Sequence, residues 1–377
     1  MNSRDDSLEA LPLRDDLRGL SPYGAPQLEV RVALNTNENT HPVPDPVVEA
    51  ITRRVTDSAA CLNRYPDRDF TALRAALASY LGHELTTDNL WAANGSNEIL
   101  QQILQAFGGP ERSVLSFVPT YSMYPLLALG TGTRFIAGER AADFSLSAES
   151  AARQVREHAP NIVFLCSPNN PTGTALGLDV VEAVYEAGED RNTIVVVDEA
   201  YAEFARFGTP SALTLLPGRP RLIVTRTMSK AFALAGARLG YFAADRSVAD
   251  AIRLVRLPYH LSSVTQATAL AALEHHETLL GTVEDIKLQR DRIVDELKRL
   301  GLTPAESDSN FVFFGGDFDS GDMWRHLLER GVLIRDVGIP GHLRVTSGTE
   351  QETTAFLDAV EAFLDRKINT DHPTETV

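Results

Sequence analysis

Between about residues 88 and 245, short apolar runs alternate with stretches of helical periodicity. This alternation limits the possible folds more than any other feature of the chain. The runs are LWAA, SVLSFV, NIVFLCS, TIVVVDE, RLIVTRT and LGYFAA, separated by helical patterns such as NEILQQILQAF and LDVVEAVYEAG. Strands that are apolar throughout and separated by helices predict a mainly parallel sheet covered by helices on both faces. We therefore expect an α/β fold.

The pattern changes after about residue 265, which predicts a second domain. Long helical stretches come first, followed by NFVFFGG, a helix, VLIRDV, LRVTSG and a final helix, as in a smaller α+β unit. A chain of 377 residues is also too long for one simple core. We predict an N-terminal arm over residues 1–40 that contributes to the small domain and to dimer contacts. A large domain over 41–262 and a small C-terminal domain over 263–377 would follow.

Composition excludes several classes of partner. The formal net charge is −16, and an acidic surface does not suit the phosphate backbone of nucleic acids. The two cysteines form no CxxC motif and the nine histidines show no metal-binding spacing, so we expect reduced thiols and no metal site. The N-terminal stretch is acidic without an apolar segment, and no apolar run has the roughly 18–20 residues of a membrane helix. We expect a cytoplasmic protein that binds neither nucleic acid nor membrane.

Polar residues directly follow four of the apolar runs. NIVFLC is followed by SPNNPTG, TIVVV by DEAY, LIV by TRTMSK, and LWAA by NGSNE. In open α/β sheets, ligands bind beyond the carboxyl ends of the strands. We therefore expect these four segments to converge on one site.

Asp198 and Lys230 carry opposite charges at two of these strand ends. Asp198 ends a run of five β-branched residues and should be at least half buried, where a carboxylate without a cation is costly. It is either a helix cap or a local ion-pair partner, or it pairs with a cationic ring nitrogen. Lys230 precedes the apolar stretch AFALAGA, which argues against a solvated surface lysine. Burial would lower its pKa and make the neutral amine a nucleophile toward carbonyls.

Hydroxyls, a guanidinium and a helix start predict an anion site beside Lys230. Thr227, Ser229 and Arg238 lie around the same turn, and GSNE at 95–98 opens a helix directly after a strand. Taken alone, Ser96 is better explained as a plain N-cap. An aldehyde, a ring cation and a phosphate on one small molecule describe pyridoxal phosphate, and this cofactor would account for all of these groups together.

Motifs spread over residues 20–350 resemble, in family order, the fold-type I pyridoxal-phosphate aminotransferases of class I/II. They are LNTNENTHPVP, NRYPDRD, WAANGSNEILQQ, PTYSMYP, SPNNPTG, VVVDEAYAEF, TRTMSKAFALAGARLGY, RLPYHLSS, SNFVFFG and GVLIRDVG with HLRVTSG. Within the family, the likeness is greatest to histidinol-phosphate aminotransferases of the actinobacterial kind. The resemblance implies a large domain with a mainly parallel central sheet flanked by helices, and a smaller α+β C-terminal domain.

The resemblance also implies roles for individual residues. Lys230 is similar to the Schiff-base lysine, which also moves a proton at the substrate carbon, and Asp198 to the catalytic partner of the pyridine nitrogen. Asn170 and Tyr201 match the residues that hydrogen-bond the ring 3-oxygen, and Tyr121 matches the ring that stacks on the cofactor. The implied phosphate-binding residues are Ser96, Asn97, Thr227, Ser229 and Arg238.

Substrate binding and subunit contacts follow from the same resemblance. Tyr65 is similar to a tyrosine that reaches the cofactor phosphate of the neighbouring subunit, which implies a homodimer with shared active sites. Arg344 resembles the arginine that binds the anionic end of substrates, with Arg335 assisting. A phosphate dianion needs more donors than one arginine offers, and Tyr23 and Tyr259 are candidates. Tyr259 follows a proline at the domain junction, where it either reaches the cleft or packs against the protein.

The predicted reaction is amino transfer between L-histidinol phosphate and 2-oxoglutarate, which yields imidazole-acetol phosphate and L-glutamate, in histidine biosynthesis. Asn97 would hydrogen-bond the imidazole, whereas a phenyl ring has no hydrogen-bonding atom to pair with it. An aromatic-amino-acid aminotransferase is the main alternative, and a decarboxylase or lyase of this fold would share the cofactor residues. A pyridoxal-phosphate-binding transcription regulator would need a helix-turn-helix domain, for which the acidic arm leaves no room.

Overall fold

The computed structural model describes residues 10–371, so residues 1–9 of the predicted arm and 372–377 of the predicted small domain lie outside the described residues. The helices are α1 (Asp45–Ala59), α2 (Thr71–Leu81), α3 (Ser96–Phe107), α4 (Met123–Gly130), α5 (Ala148–His158), α6 (Leu178–Ala187), α7 (Arg246–Val255), α8 (Ser263–Glu274), α9 (His276–Leu280), α10 (Thr282–Arg299), α11 (Ser320–Glu329) and α12 (Glu350–Asp371). The strands are β1 (Val32–Ala33), β2 (Leu90–Ala93), β3 (Ser113–Val118), β4 (Arg134–Glu139), β5 (Ile162–Cys166), β6 (Ile194–Asp198), β7 (Leu222–Thr227), β8 (Gly240–Ala244), β9 (Thr303–Pro304), β10 (Phe311–Gly315), β11 (Val332–Leu333), β12 (Arg335–Asp336) and β13 (His342–Thr346).

The central sheet has seven strands in the order β2-β8-β7-β6-β5-β3-β4. The five strands from β7 to β4 are parallel, and β8 runs antiparallel to both of its neighbours. All six apolar runs form strands, which confirms the mainly parallel sheet. The seventh strand, β4, was not predicted because it begins with Arg134 and ends with Glu139, and its edge position leaves most of it partly exposed.

The inner strands of the sheet are buried because helices pack against them. Every residue of β2, β5, β7 and β8 is buried. Helices pair as α5 with α6, α1 with α8, and α3 with α7. Each buried Val, Leu or Ile side chain contributes about 1.5–3 kcal/mol relative to its exposed state, so the sheet is a rigid platform for the residues at its strand ends.

The smaller sheet has the order β12-β13-β10-β9, with antiparallel pairing throughout. The run VLIRDV, predicted as one strand, forms two short strands with different partners. β12 pairs with β13, whereas β11 pairs in parallel with β1, near the end of the predicted arm. The segment before residue 40 therefore contributes one strand that pairs beside the smaller sheet.

The apolar packing divides in two within helix α10. Ala269, Leu279 and Ile286 belong to the larger cluster, whereas the residues of α10 from Ile293 onward belong to the smaller cluster, together with Val32 and Leu34. This division lies later in the chain than the predicted boundary between residues 262 and 263. The reason is that α8 packs on α1 and α2 of the large domain.

Candidate active site

A cavity of about 820 Å³ lies at the carboxyl ends of β5, β6 and β7 and is lined by residues of both domains. It brings together thirteen of the predicted site residues: Tyr23, Ser96, Asn97, Tyr121, Asn170, Asp198, Tyr201, Thr227, Ser229, Lys230, Arg238, Arg335 and Arg344. Tyr65 and Tyr259 do not line it. The strand ends converge because parallel neighbours end at the same edge of the sheet.

Asp198 is a buried carboxylate held only by neutral donors. It is 3% exposed at the end of β6. The Tyr124 hydroxyl donates to Oδ2 at 2.9 Å and the Thr225 hydroxyl to Oδ1 at 3.1 Å. Burial raises the pKa of Asp198, and these two hydrogen bonds act against the rise. Within residues 10–371, no cationic side chain pairs with Asp198, so the structure does not support the local ion pair considered above.

Lys230 follows β7 and its amine points toward the segment after β1. Its Nζ donates to the backbone oxygen of Thr36 at 3.0 Å and lies 6.0 Å from the centre of the Tyr201 ring. Burial lowers the pKa of Lys230 to about 8, and the positive charge of Arg344 adds to the effect. A fraction of the amine is therefore neutral near neutral pH, as a nucleophile toward carbonyls requires.

The start of α3 packs tightly against β8 and Arg238. A Cβ on Gly240 would lie 2.3 Å from the Gly95 carbonyl carbon, and a Cβ on Gly95 would lie 2.5 Å from Arg238 Nη2. Gly95 is also the N-cap, with φ of 85°, and no side chain caps this helix. Ser96 is therefore not the plain N-cap considered above. Its hydroxyl lines the cavity at a helix start, where free N–H groups bind anions.

Two further pairs of side chains are preorganised by hydrogen bonds. Thr227 Oγ1 lies 3.0 Å from Ser229 Oγ and accepts from the Ser229 backbone N–H at 3.1 Å. The Tyr121 hydroxyl donates to Asn97 Oδ1 at 3.2 Å. The amide nitrogen of Asn97 is thereby left to donate toward the cavity.

Tyr201 connects the two domains. Its Oη accepts hydrogen bonds from Asn170 Nδ2 at 3.3 Å and from Asn37 Nδ2 at 3.1 Å. Arg344, on β13, donates to Asn170 Oδ1 at 2.6 Å and to the backbone oxygen of Asn35 at 2.8 Å. Burial raises the pKa of Tyr201 to about 12, although the charge of Arg344 and the Asn37 hydrogen bond act in the opposite direction.

Sequence reasoning did not identify Thr36, Asn37 or Tyr124 as site residues. Thr36 and Asn37 follow β1 within the motif LNTNENT and line the cavity. Tyr124 lies on α4, one turn after Tyr121, in the motif PTYSMYP. A polar run directly after a strand was a usable signal for the first two.

Tyr65 and Tyr259 stack on each other outside the cavity of their own chain. Their ring centres are 4.5 Å apart, and they are 80% and 40% exposed. Tyr259 has a positive φ of 60°, and this turn directs it toward Tyr65. Tyr259 therefore packs against another side chain and does not line the cavity of its own chain. The exposed leucines Leu254 and Leu257 precede it in the chain.

The cavity is locally cationic in an acidic protein. Its lining carries four basic side chains (Lys230, Arg238, Arg335, Arg344) and three carboxylates (Glu38, Asp198, Asp336), whereas the whole chain has a net charge of −16. Burial lowers the pKa of the Arg344 guanidinium to about 10, and no carboxylate of the described residues pairs with it. Such an unpaired cation favours an anionic ligand.

The aminotransferase class I and II family matches residues 30–360. A lysine and a buried carboxylate that follow neighbouring strands and line one cavity, on a mainly parallel sheet with a second small domain, agree with that match, and the chain belongs to this family. Among curated proteins it is similar to histidinol-phosphate aminotransferase of Paenarthrobacter aurescens, with 72% identity over 97% of this chain and 98% of the relative. The histidinol-phosphate aminotransferase of Frankia casuarinae is 61% identical over 93% of this chain and 90% of the relative.

Solved structures agree on the fold but include several activities. The histidinol-phosphate aminotransferase of Sinorhizobium meliloti, in complex with pyridoxal-5'-phosphate, has a TM-score of 0.81 at 26% identity and covers 90% of this chain and 92% of its own. An aspartate aminotransferase of Thermotoga maritima has a TM-score of 0.79 at 25% identity, over 89% and 92% of the chains. The overall fold therefore does not distinguish the substrates.

The cavity residues fit pyridoxal phosphate. Asp198 is a buried carboxylate without a cation and would pair with a protonated ring nitrogen. Lys230 would bind the aldehyde carbon. Because Gly95 and Gly240 lack a Cβ, the start of α3 packs closely on β8 and Arg238, so the free N–H groups of the helix start and the Arg238 guanidinium could together hold a phosphate. Each of the three functional groups of the cofactor thus has a complementary group in the cavity.

Proposed function

We propose that this chain transfers the amino group between L-histidinol phosphate and 2-oxoglutarate, with pyridoxal phosphate as cofactor, in histidine biosynthesis. The observation that carries the proposal is the pair Arg335 and Arg344 in one cavity with Lys230. One substrate carries a phosphate and the other two carboxylates, and the relatives at 72% and 61% identity are named for the first of them. The cationic lining of the cavity supports the binding of such anions.

Each site residue has a role in this reaction. The cofactor, when bound, supplies an aldehyde and an electron-withdrawing ring. Asp198 would keep the ring nitrogen protonated, and each pKa unit that it adds amounts to about 1.4 kcal/mol. Lys230 would hold the cofactor and then move a proton at the reacting carbon of the substrate. Tyr201 and Asn170 would hydrogen-bond the ring 3-oxygen, and Tyr121 would cover the ring.

The phosphate end of histidinol phosphate would lie at Arg344, Arg335 and Tyr23. Arg335 Cζ is 5.9 Å from the Tyr23 ring centre, and the Tyr23 hydroxyl accepts from Ser122 at 3.0 Å. The two arginines and the phenol offer more donors than a carboxylate needs, which suits a phosphate dianion. Asn97 would receive the imidazole, because its amide nitrogen is left free to donate by Tyr121.

The substrate proposal is tested by comparing kcat/KM for histidinol phosphate, phenylalanine and tyrosine with 2-oxoglutarate as the shared acceptor. The kcat/KM of the aromatic amino acids should be lower by roughly tenfold to a hundredfold, since they leave the Asn97 amide unpaired and an unpaired polar group costs about 1–3 kcal/mol. Arg335→Ala should reduce kcat/KM more for histidinol phosphate than for phenylalanine. If phenylalanine equals or exceeds histidinol phosphate, the aromatic-aminotransferase alternative replaces this proposal.

The role of Lys230 has its own test. Borohydride reduction of the protein loaded with cofactor, followed by peptide mapping, should locate the label on Lys230. Lys230→Ala should lose turnover and still bind the cofactor without a covalent bond. A reduced label on a different lysine would contradict the assignment.

We also propose that the active unit is a homodimer in which the exposed Tyr65–Tyr259 pair reaches the cavity of the partner subunit. Both tyrosines lie outside the cavity of their own chain, and the leucines Leu62, Leu254 and Leu257 beside them in the chain are 57%, 86% and 74% exposed. Apolar side chains exposed in this number suit a subunit interface. Tyr65 would contact the cofactor phosphate, and Tyr259 the substrate.

Mixing two defective variants tests the shared site. In a heterodimer of Tyr65→Phe and Lys230→Ala chains, one site is intact and the other carries both defects, if Tyr65 acts across the interface. Activity should then exceed the sum of the two homodimers. Activity that stays proportional to concentration down to a demonstrated monomer would refute the arrangement.

We place the reaction in the cytoplasm. Cys61 and Cys166 form no disulfide, which fits a reducing compartment. Within residues 10–371, none of the helices is both long enough and apolar enough to span a bilayer. Fractionation of the native cells, followed by immunoblotting, is the direct measurement.

A further inference from the structure

Asn37 has an unusual backbone conformation that two buried contacts maintain. It is 1% exposed and has a φ of 56°, in the left-handed region that asparagine tolerates better than most residues. Its backbone N–H donates to Thr346 Oγ1 at 3.0 Å, and its backbone oxygen accepts from Asn310 Nδ2 at 3.1 Å. Both partners belong to the small domain, next to strands β13 and β10, so this domain fixes the Asn37 backbone.

The side chain of Asn37 has only one orientation that satisfies its neighbours. The Thr346 hydroxyl donates to Asn37 Oδ1 at 3.3 Å, so the amide nitrogen faces Tyr201 Oη at 3.1 Å. Asn170 is oriented in the same way, because Arg344 donates to its Oδ1 at 2.6 Å and leaves its nitrogen toward Tyr201. Two amide N–H groups therefore donate to one phenol oxygen.

This arrangement determines the direction of the Tyr201 proton. A phenol oxygen has two acceptor sites and one proton. With both acceptor sites occupied, Tyr201 has only its proton left to offer. No oxygen of the described residues accepts that proton, and Tyr201 lines the cavity. Its proton is therefore available to an acceptor on the bound ligand.

We propose that Asn37 is a positioning residue, which orients the Tyr201 hydroxyl so that its proton points into the cavity toward the ring 3-oxygen of the cofactor. The inference rests on the proposed function, because it assigns that oxygen as the acceptor. Asn37 itself touches neither cofactor nor substrate in this account. It transmits the position of the small domain to a hydrogen bond made by the large domain.

The acidity of the lysine-bound cofactor reports the direction of this proton. Donation by Tyr201 stabilises negative charge on the ring oxygen, so it lowers the pH at which the absorbance band of the bound cofactor changes. In Asn37→Asp, a carboxylate replaces the amide donor, accepts the Tyr201 proton and turns it away from the cofactor. We expect the spectroscopic midpoint to rise by about one pH unit, the equivalent of one hydrogen bond to a charged group.

Two further variants separate positioning from other effects. Asn37→Gly removes the donor but keeps the left-handed backbone accessible, so it should fold and show a smaller rise. Asn39→Asp adds the same charge two residues away, where Asn39 donates to the Ala231 backbone oxygen and to Thr282 instead of Tyr201. It should leave the midpoint within the error of the titration.

Tyr201→Phe completes a double-mutant cycle. The other titratable groups near Tyr201 are Arg344, Lys230, Asp198, Cys166 and Tyr121, and none of them changes in these variants. If Asn37 acts through Tyr201, adding Asn37→Asp to Tyr201→Phe should cause no further shift. An undiminished shift in the Tyr201→Phe background, or equal shifts from Asn37→Asp and Asn39→Asp, would overturn the inference.

The same titration separates this inference from the proposed function. Wild-type protein that shows no absorbance band with pyridoxal phosphate would overturn the proposed function and this inference with it. A wild-type band with unchanged midpoints in both Asn37 variants would overturn only the role of Asn37. The expected midpoint is lowest for wild type, higher for Asn37→Gly and highest for Asn37→Asp.

Discussion

The ends of β6 and β7 present two buried acidic sites on opposite faces of the sheet, and the two are built differently. On the cavity face, Asp198 has neutral donors and no cation. On the other face, Glu199 contacts Arg226 at 2.7 Å, and Arg226 also contacts Glu203 at 3.0 Å. Residues adjacent in the chain alternate between the two faces of a strand. Asp198 and Glu199 therefore point to opposite faces of the sheet, although they are neighbours in the chain.

The difference teaches which buried charge is structural and which is functional. Glu199 is fully satisfied, because it also accepts from the Ser211 hydroxyl and the Ala212 backbone N–H, each at 2.7 Å. A buried carboxylate that has its cation needs nothing more from outside the chain. Asp198 has no such partner, so it is held at a cost that a cationic ligand relieves. Sequence alone does not separate the two, since D and E are neighbours in DEAY.

The largest expected effect concerns the rate on the cavity face. Asp198→Ala should slow the amino-transfer half-reaction by roughly 10²–10³-fold or more, as does the loss of a buried group that stabilises developing charge. Asp198→Glu should retain part of the rate. Stopped-flow absorbance in single turnovers measures both. Glu199→Gln, on the opposite face, is the control and should stay within a few-fold of wild type; a near-normal rate in Asp198→Ala would make that carboxylate structural.

Next in size is the effect of Arg226 on stability. Arg226→Met leaves Glu199 and Glu203 buried without their cation and should lower the free energy of unfolding by about 3–5 kcal/mol. Denaturant unfolding of the cofactor-free protein is the measurement. Arg325→Met removes one partner of an ion pair whose side chains are 63% and 57% exposed, and it should cost no more than about 1 kcal/mol. Equal losses of unfolding free energy in the two variants would contradict the distinction between the buried and the exposed ion pair.

A smaller effect should follow removal of one donor to Asp198. Tyr124→Phe keeps the ring and deletes the hydroxyl, so it should lower the free energy of unfolding by about 1.5–3 kcal/mol at neutral pH. Burial raises the pKa of Asp198 and the Tyr124 hydroxyl opposes this, so the variant should raise the pKa further. The charged form is the one destabilised, so the cost should shrink as the carboxyl is protonated on acidification. A cost that does not vary with pH would assign Tyr124 to packing alone.

The slope with pH that Lys230 causes is the smallest effect, at most about 1.4 kcal/mol per pH unit. The folded pKa of Lys230 is lowered to about 8 from 10.5, so between these values the unfolded chain binds more protons than the folded chain. The cost of burying the charged amine should therefore be constant below about pH 8 and be relieved as the pH rises from about 8 to 10.5, so that stability increases over this range. The difference in unfolding free energy between cofactor-free wild type and Lys230→Met, measured across this range, should show that slope. A flat difference would mean that the amine is solvated.

The sequence was sufficient for the sheet and for the residues at its strand ends. Apolar runs of five or six residues predicted the strands, and the convergence of carboxyl ends placed Asp198 and Lys230 together. β4 was not predicted, because its charged ends and its position at the sheet edge remove the apolar pattern. Asn37 was not predicted as a site residue, because its role depends on contacts with Asn310 and Thr346. These residues are distant in the chain, and local sequence periodicity does not encode such contacts. The direction of Tyr259 depends on a single left-handed turn.

The pairing of β1 with β11 sets the order in which the protein can be assembled during synthesis. Val32 pairs with Val332, so the segment that carries Thr36 and Asn37 cannot take its place until nearly the whole chain has left the ribosome. The larger apolar cluster, with one exception, draws on residues 47–286 and can form earlier. The site is thus completed last, when the first strand meets one of the last. A chain that stops before residue 332 can hold much of its fold but lacks the contacts that order Tyr201, so an unfinished copy is an inactive one.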